Sequence, residues 1–276
     1  MADTKIEWAT RVWNPIVGCT HAGSPGCDHC YARELHTRRH KAFLSGKKMP
    51  RQYAKPFSEI QLMKERLDMP LHWRKPQRIF VNSMSDLFHE DVPFDFISDV
   101  FAMMAICQQH TFIVLTKRPQ RMKRYFTDGI DGMGPYHSYI GKAVTRLGDH
   151  PNIKIRPIIW PMKNVWLGVT AENQEMADLR ISFLLKTPAA VRLVSCEPML
   201  GFIYAKKYMR YRRDDKDVSA VDLVISGPET GPKARTMEYR WIEDLYAQCK
   251  DAGVPFFDKK NTLGLNLQQF PEASHG

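Results

Sequence analysis

The sequence predicts an α/β domain built on a parallel βα barrel, complete or partial, of six or seven units. Three observations carry that expectation. Short runs rich in Val and Ile recur along the chain, as buried parallel strands require. Segments of helical period separate them: Ile97, Val100, Phe101 and Met104 share one face, and Ile242, Leu245, Tyr246 and Cys249 another. The runs also end in polar, Gly or Pro residues, the rhythm of repeated strand and helix units.

The first run, Val12 to Val17, ends in Gly18-Cys19-Thr20, and the second, Arg78 to Asn82, continues through Ser83, Met84 and Ser85 to Asp86. Thr111 to Leu115 leads into Thr116-Lys117-Arg118, and Val165 to Val169 into Thr170, Glu172 and Asn173. Val191 to Val194 precedes Ser195-Cys196-Glu197, Leu223 to Ile225 precedes Ser226 to Gly231, and Pro255 to Phe257 is the seventh run. In parallel α/β folds the chemistry collects where strands end, so these residues describe a polar crater over an apolar barrel. Asp86, Asn173 and Thr230 serve equally well as helix caps. Three stretches break the rhythm, 46–73, 129–161 and 204–219, and read as insertions over the mouth of a single domain spanning 1–276.

Composition sets limits on function. With 276 residues, 43% apolar and 25% charged, the chain can bury a large core, which excludes disorder for most of its length. The longest apolar run, Val100 to Cys107, falls far short of the ~20 residues of a membrane span, and the first residues hold no long apolar stretch. The expectation is a soluble, cytoplasmic protein without a membrane partner. A net charge of +10 favours an anionic partner such as a nucleotide, nucleic acid or phosphorylated substrate. The excess concentrates in Arg33 to Lys41, Lys47 to Lys55 and Lys206 to Arg213. Such runs are most often solvated faces; Tyr208 and Tyr211 among arginines make the third the best candidate for stacking bases while gripping phosphates.

Six cysteines are too few for a disulfide scaffold in so long a chain, and three crowd together as C-x7-C-x2-C. Cys19, Cys27 and Cys30 lie on the loop after the first strand. Three thiolates there can cap three irons of a cubane cluster and leave the fourth open to a substrate. A closed zinc site of three thiolates and His21 or His29 is the alternative. Tyr31 begins a helix whose free N–H groups would face the anionic cluster. Cys107 and Cys249 fall on helical core faces and read as packing thiols.

The order of strand, three-cysteine loop ending C-x2-C and helix, inside a βα repeat, resembles the radical S-adenosylmethionine (SAM) enzymes, whose usual spacing is C-x3-C-x2-C. Four extra residues separate the first two cysteines here. The segments IEWATRVWNPIVGCT, GCDHCYA, FVNSMSDLFHEDVP, LTKRPQR, VWLGVTAENQ, SCEPML and ISGPETGP, spread from Ile6 to Pro232, are similar to a phage and bacterial three-cysteine-motif family of uncharacterised radical-SAM-like proteins.

The resemblance implies that Cys19, Cys27 and Cys30 bind a 4Fe-4S cluster and that SAM chelates its open iron. His29 would neighbour the adenine, while Ser83, Ser85 and Asp86, standing where Gly-Gly-Glu is usual, would contact the methionyl amine. Thr170, Glu172 and Asn173, then Ser195 and Glu197, stand where ribose and carboxylate contacts are expected. An external electron donor would reduce the cluster, and reductive cleavage of SAM would yield a radical that abstracts hydrogen from an anionic substrate, a nucleotide or a base within nucleic acid being the leading reading. Cys196, beyond the fifth run, reads either as a buried strand-end cysteine, the common place for a free thiol, or as a hydrogen donor to the substrate radical at the mouth. A phage nucleic-acid-binding protein with a structural zinc site is the competing function.

Overall fold

A computed structural model describes residues 4–128, 141–142, 145, 159–213, 216–219 and 221–271. The first half of the chain forms β1 (Arg11–Trp13), β2 (Ile16–Val17), α1 (Tyr31–Leu44), β3 (Gln61–Leu62), β4 (Arg78–Val81), α2 (Phe94–Ile106), β5 (Thr111–Thr116) and α3 (Pro119–Thr127). The second half forms β6 (Val165–Thr170), α4 (Gln174–Leu185), β7 (Val191–Cys196), α5 (Lys206–Met209), β8 (Arg210–Arg213), β9 (Lys216–Ser219), β10 (Leu223–Ser226), α6 (Tyr239–Ala252) and β11 (Phe256–Asp258).

Seven of these strands pair in parallel in the order β1-β4-β5-β6-β7-β10-β11. The order follows the chain and never reverses, so the sheet winds in one direction and curls into a half-barrel flanked by helices. The expected partial parallel barrel is therefore present at the level of sheet and winding. The first expected strand is split. Pro15 lacks a backbone N–H and interrupts it after Trp13; Ile16 and Val17 then leave the main sheet to pair antiparallel with β3.

Strand alternation sorts side chains into two cores. Val81, Val114, Leu167, Val194 and Phe256 pack outward against Phe101, Met104, Ile181 and Leu245 of the helices. Phe80, Ile113, Trp166, Leu193, Ile225 and Phe257 fill the concave side. Gly168 faces that side because a Cβ there would stand 2.5 Å from Leu193. Cys196 belongs to the helix-facing core and is fully buried, its thiol pushed up to about 12 by burial and then by the Glu172 carboxylate. Strand alternation thus corrects the expected hydrogen donor at the mouth to a packing residue, and Cys249 of α6 shares that core.

β1 and β11 are not bonded to each other, and the gap between these outer strands is bridged by the segments flanking the sheet. Glu7 accepts from the backbone N–H of Lys260 and pairs with its Nζ at 3.1 Å, while Trp8 packs edge-on against Phe80. From the other side, Phe270 lies against Phe257, and the Arg78 guanidinium sits 3.7 Å from its ring centroid. Residues 6–8 and 257–270 thus form a clasp across the open side.

The 46–73 stretch divides its contacts. It buries Leu67 and Trp73 in the helix-facing core, where the Trp13 indole N–H donates to the Arg66 carbonyl at 2.7 Å, and its Phe57 carbonyl accepts from the Cys19 N–H at 2.8 Å beside the cysteine loop. The 129–161 stretch lies almost wholly outside the described residues. The 204–219 stretch holds α5 and the antiparallel pair β8 and β9. No helix among the described residues is long and apolar enough to cross a membrane.

Candidate functional site

The carboxyl ends of the sheet strands converge on the loop that carries Cys19, Cys27 and Cys30, and three buried carboxylates hold that loop. Each carboxylate ties it to a different strand end.

The first is Asp86, which follows β4. One oxygen accepts from the Thr116 hydroxyl (2.7 Å) and the Phe88 N–H (3.0 Å); the other accepts from the Lys117 N–H (3.0 Å) and from Arg118 Nη1 (3.3 Å). Arg118 in turn reaches the Thr20 hydroxyl at 3.1 Å and the Cys19 sulfur at 3.7 Å. Burial works against the Arg118 cation, but the Asp86 and Glu90 carboxylates outweigh it and hold the guanidinium charged. The Cys19 thiol is pushed up to about 12 by burial and then by Asp86, with Arg118 opposing, so it is a neutral thiol near pH 7. Asp86, expected to face the methionyl amine, has both oxygens committed to protein donors and acts by positioning Arg118.

Glu172, after β6, is the second anchor and is completely buried. It accepts from the Ser24 hydroxyl of the cysteine loop (2.6 Å), from Lys117 Nζ (2.9 Å) and from Arg180 Nη1 (3.0 Å). Burial opposes its charge, yet Lys117 and Arg180 prevail and keep the carboxyl below its ordinary range. The loop presses onto it so closely that a Cβ at Gly26 would lie 2.4 Å from a Glu172 oxygen.

Glu229, beyond β10, is the third. Arg235 grips it through Nε (2.9 Å), Nη2 (2.6 Å) and its backbone N–H (2.8 Å), and Nη2 also donates to the Pro25 carbonyl at 2.8 Å. His29 Nδ1 stands 3.3 Å from the same carboxylate. Arg235 hydrogen bonds bring Glu229 down to about 2 from 4.5. The depressed value means its stabilisation is complete above about pH 4.5 and is lost as pH falls toward 2. Urea unfolding of the native chain and of Glu229→Gln should therefore differ at neutral pH and converge over that window; a gap that stays constant to pH 2 would contradict the pairing.

The remaining expected site residues divide. The Tyr31 hydroxyl donates to the Ser83 carbonyl at 2.6 Å, joining α1 to the end of β4. Ser83 and Ser85 bond Asn14 and the Ile16 carbonyl, so Ser85 secures β2. Asn173 caps α4 by accepting from the Met176 N–H at 3.0 Å, the capping role its sequence position also allowed. Thr170 and Ser195 are buried partners in register on β6 and β7, and Glu197 pairs with Lys259 of the turn after β11. Thr170 and Ser195 share the concave parity of Trp166 and Leu193, which places them at the inner rim of the sheet.

Sequence reasoning placed Asn82 and Arg118 in the polar crater without a role and did not select Arg180, Arg235 or Lys259. Arg180 carried a readable signal, since it occupies the apolar stripe of α4 with Met176, Ala177, Ile181 and Leu184. Asn82 adopts φ 63° at the carboxyl end of β4 and is buried with neither side-chain atom partnered, an unused amide donor and acceptor at that strand end. A cavity of about 470 Å³ lies alongside, between Thr20, His21, Arg118 and the Arg121 and Arg124 side chains of α3.

Among the described residues no three His, Cys, Asp or Glu side chains are gathered closely enough to hold a metal ion. The three thiols share one loop without forming a ready-made cage. Their setting nevertheless suits a soft, anionic group. Cys30 is the N-cap residue of α1, Arg118 attends Cys19, Cys19 and Cys30 are partly exposed, and the orphaned Asn82 amide supplies an unused polar contact. Of the two histidines of the zinc alternative, His21 has both ring nitrogens engaged, Nε2 with Asp28 (3.0 Å) and Nδ1 with the Gly23 N–H (3.0 Å), whereas His29 meets Glu229 through Nδ1, the carboxylate contact a zinc-binding imidazole commonly makes.

Of known proteins, a family model described as a protein of unknown function (DUF5131) matches residues 3–266. No curated protein matches the chain, and no solved structure does.

Proposed function

The chain belongs to the DUF5131 family, whose description assigns no activity, and from its own residues we propose that it is a radical SAM enzyme acting on an anionic substrate in the cytoplasm. The observation that carries this reading is three thiols on one loop at the carboxyl edge of a one-directional parallel half-barrel, bound to three strand ends by buried carboxylates. Cys19, Cys27 and Cys30 would hold a 4Fe-4S cluster, and the inner rim with Asn82, Thr170 and Ser195 would face SAM. When bound, the two together supply reductive cleavage of a sulfonium and hydrogen abstraction, with the electron coming from an external donor.

The protein's own contribution is positional. Asp86 aims Arg118 at Cys19, where the guanidinium favours negative charge on sulfur. Glu172 and Glu229 fix the two ends of the stretch between Ser24 and His29, which limits how far Cys27 can travel. Because the thiols are not pregathered, metal loading and closure of the loop are one coupled event.

Anaerobic reconstitution with iron and sulfide tests the reading. The native chain should take up about four irons and show thiolate-to-iron absorbance, while Cys19→Ala, Cys27→Ala and Cys30→Ala should each lose most of both. Full iron in any one variant, or a colourless protein holding a single zinc, would remove the reading.

A further inference from the structure

Positive charge is unevenly placed on this molecule. Between Arg33 and Lys55 the chain carries eight Lys and Arg against one carboxylate, Glu34, a net +7 of the total +10. The structure turns most of these cations outward along α1 and the turn that follows: Arg38, Arg39, Lys41, Lys47, Lys48 and Arg51 are exposed. Arg38 and Lys41 make no ion pair among the described residues, and with Arg33, Thr37 and one carboxylate, Glu34, they line an open groove of about 510 Å³. The cavity beside Cys19 differs: there Lys117 faces Glu172, Arg118 faces Asp86 and Glu90, and Arg124 faces Asp128. In the Lys206 segment, Lys206 is neutralised by Asp251 and Lys207 by Asp178, and the side chains of 210–220 lie outside the described residues. The uncompensated field is on α1.

At the head of that groove stands Tyr31. Its spacing to Glu34, Arg38 and Lys41 puts all four on one helical stripe. The residue is 52% exposed while its hydroxyl end is buried and donates to the Ser83 carbonyl at 2.6 Å, so an aromatic side chain is held fixed next to Cys30. A fixed exposed ring at the end of a cationic track is the arrangement that binds single-stranded nucleic acid, where arginine and lysine follow phosphates and an aromatic stacks a base. A duplex keeps its bases inside the stack and could not offer one to this ring or to the mouth beyond it.

We propose that the outward face of α1 binds single-stranded nucleic acid, with Arg38 and Lys41 on the phosphates and Tyr31 stacking a base at the edge of the cysteine loop. The proposal rests on the radical SAM reading only in taking that strand as substrate; the binding itself does not need the cluster.

Fluorescence anisotropy with labelled DNA and RNA strands of ~12 nucleotides tests it, with a strand of equal length made of abasic units as control. Binding should weaken steeply with salt, and Arg38→Gln with Lys41→Gln should make the log-log slope shallower by about 1.4, since each lost phosphate contact removes ~0.7. Tyr31→Leu should lower affinity about tenfold and Tyr31→Phe by less, because Phe keeps the stacking ring and loses only the hydroxyl that holds it in place. Absence of binding at low salt, an unchanged slope in the double variant, or equal binding of the abasic strand would overturn the proposal, the last by showing a general surface for polyanions or acidic proteins. Iron content measured on the same preparations separates the two ideas: a chain that binds strands but takes up no cluster keeps this proposal and loses the enzymatic one.

Discussion

Replacing Glu172 by alanine should destabilise the protein by about 3–5 kcal/mol, the cost of stranding a buried cation when one partner of an ion pair is deleted. Arg180 is 1% exposed and cannot recover its hydration without local opening, whereas Lys117, 21% exposed on its side chain, can turn to solvent, so the cost falls mainly on Arg180. The Ser24 hydroxyl would lose its acceptor as well, freeing the middle of the cysteine loop. Glu172→Gln should lose less, because an amide oxygen still accepts from Ser24 and Arg180 although the charge is gone. Urea unfolding of both variants is the measurement. A loss below about 1 kcal/mol in the alanine variant would mean that the network is not structural, and the anchoring of the loop would need another source.

Gly18→Ala is the second substitution with a large expected effect. Gly18 sits at φ +100°, where a side chain is strained, and a Cβ would stand 2.2 Å from the Glu59 carbonyl oxygen and 3.0 Å from that of Phe57. Both obstacles are backbone and cannot swing aside. The next residue, Cys19, donates its N–H to the Phe57 carbonyl at 2.8 Å, and Gly18 donates its own to Met84 at 3.2 Å. Relief of the clash must therefore break the bonds that seat Cys19 between the 46–73 stretch and the end of β4. A stability loss of about 3 kcal/mol is expected, together with faster proteolysis of the cysteine loop. A variant with native stability and an uncut loop would show that this seat is not what fixes Cys19.

Much of the frame was legible because it depends on local pattern. Each of the seven apolar runs contains or overlaps a strand of the parallel sheet, since a strand covered on both faces must be apolar on both, whatever its neighbours. Pro15 was the readable sign that the first run would break. The strand-end rule also led to Asp86 and Glu172, though to a different role: both are saturated by protein donors, and their partners come from 31 residues away for the Lys117 N–H and 148 for Ser24. Pairings of that range leave no periodic trace, so Arg235 clasping Glu229 and Pro25 could not be read from spacing. Cys196 failed for a simpler reason. Position after a strand says which end of the barrel a residue occupies, but parity says which side, and Val194 and Cys196 share the outward parity.

The long reach of these anchors also has a temporal side. A ribosome adds about 5–20 residues per second, and Arg235 follows Pro25, whose carbonyl it secures, by 210 positions. The cysteine loop is therefore synthesised about 10–40 s before its last anchor exists, and the clasp that needs Phe270 forms later still. During that interval the three thiols are on a tether that Arg235 does not yet hold, while afterwards the same residues are bound to three strand ends. Under the proposed cluster reading, loading would be easiest in that early interval, and a mature chain without its cluster would have to release Glu172 or Glu229 before it could be filled.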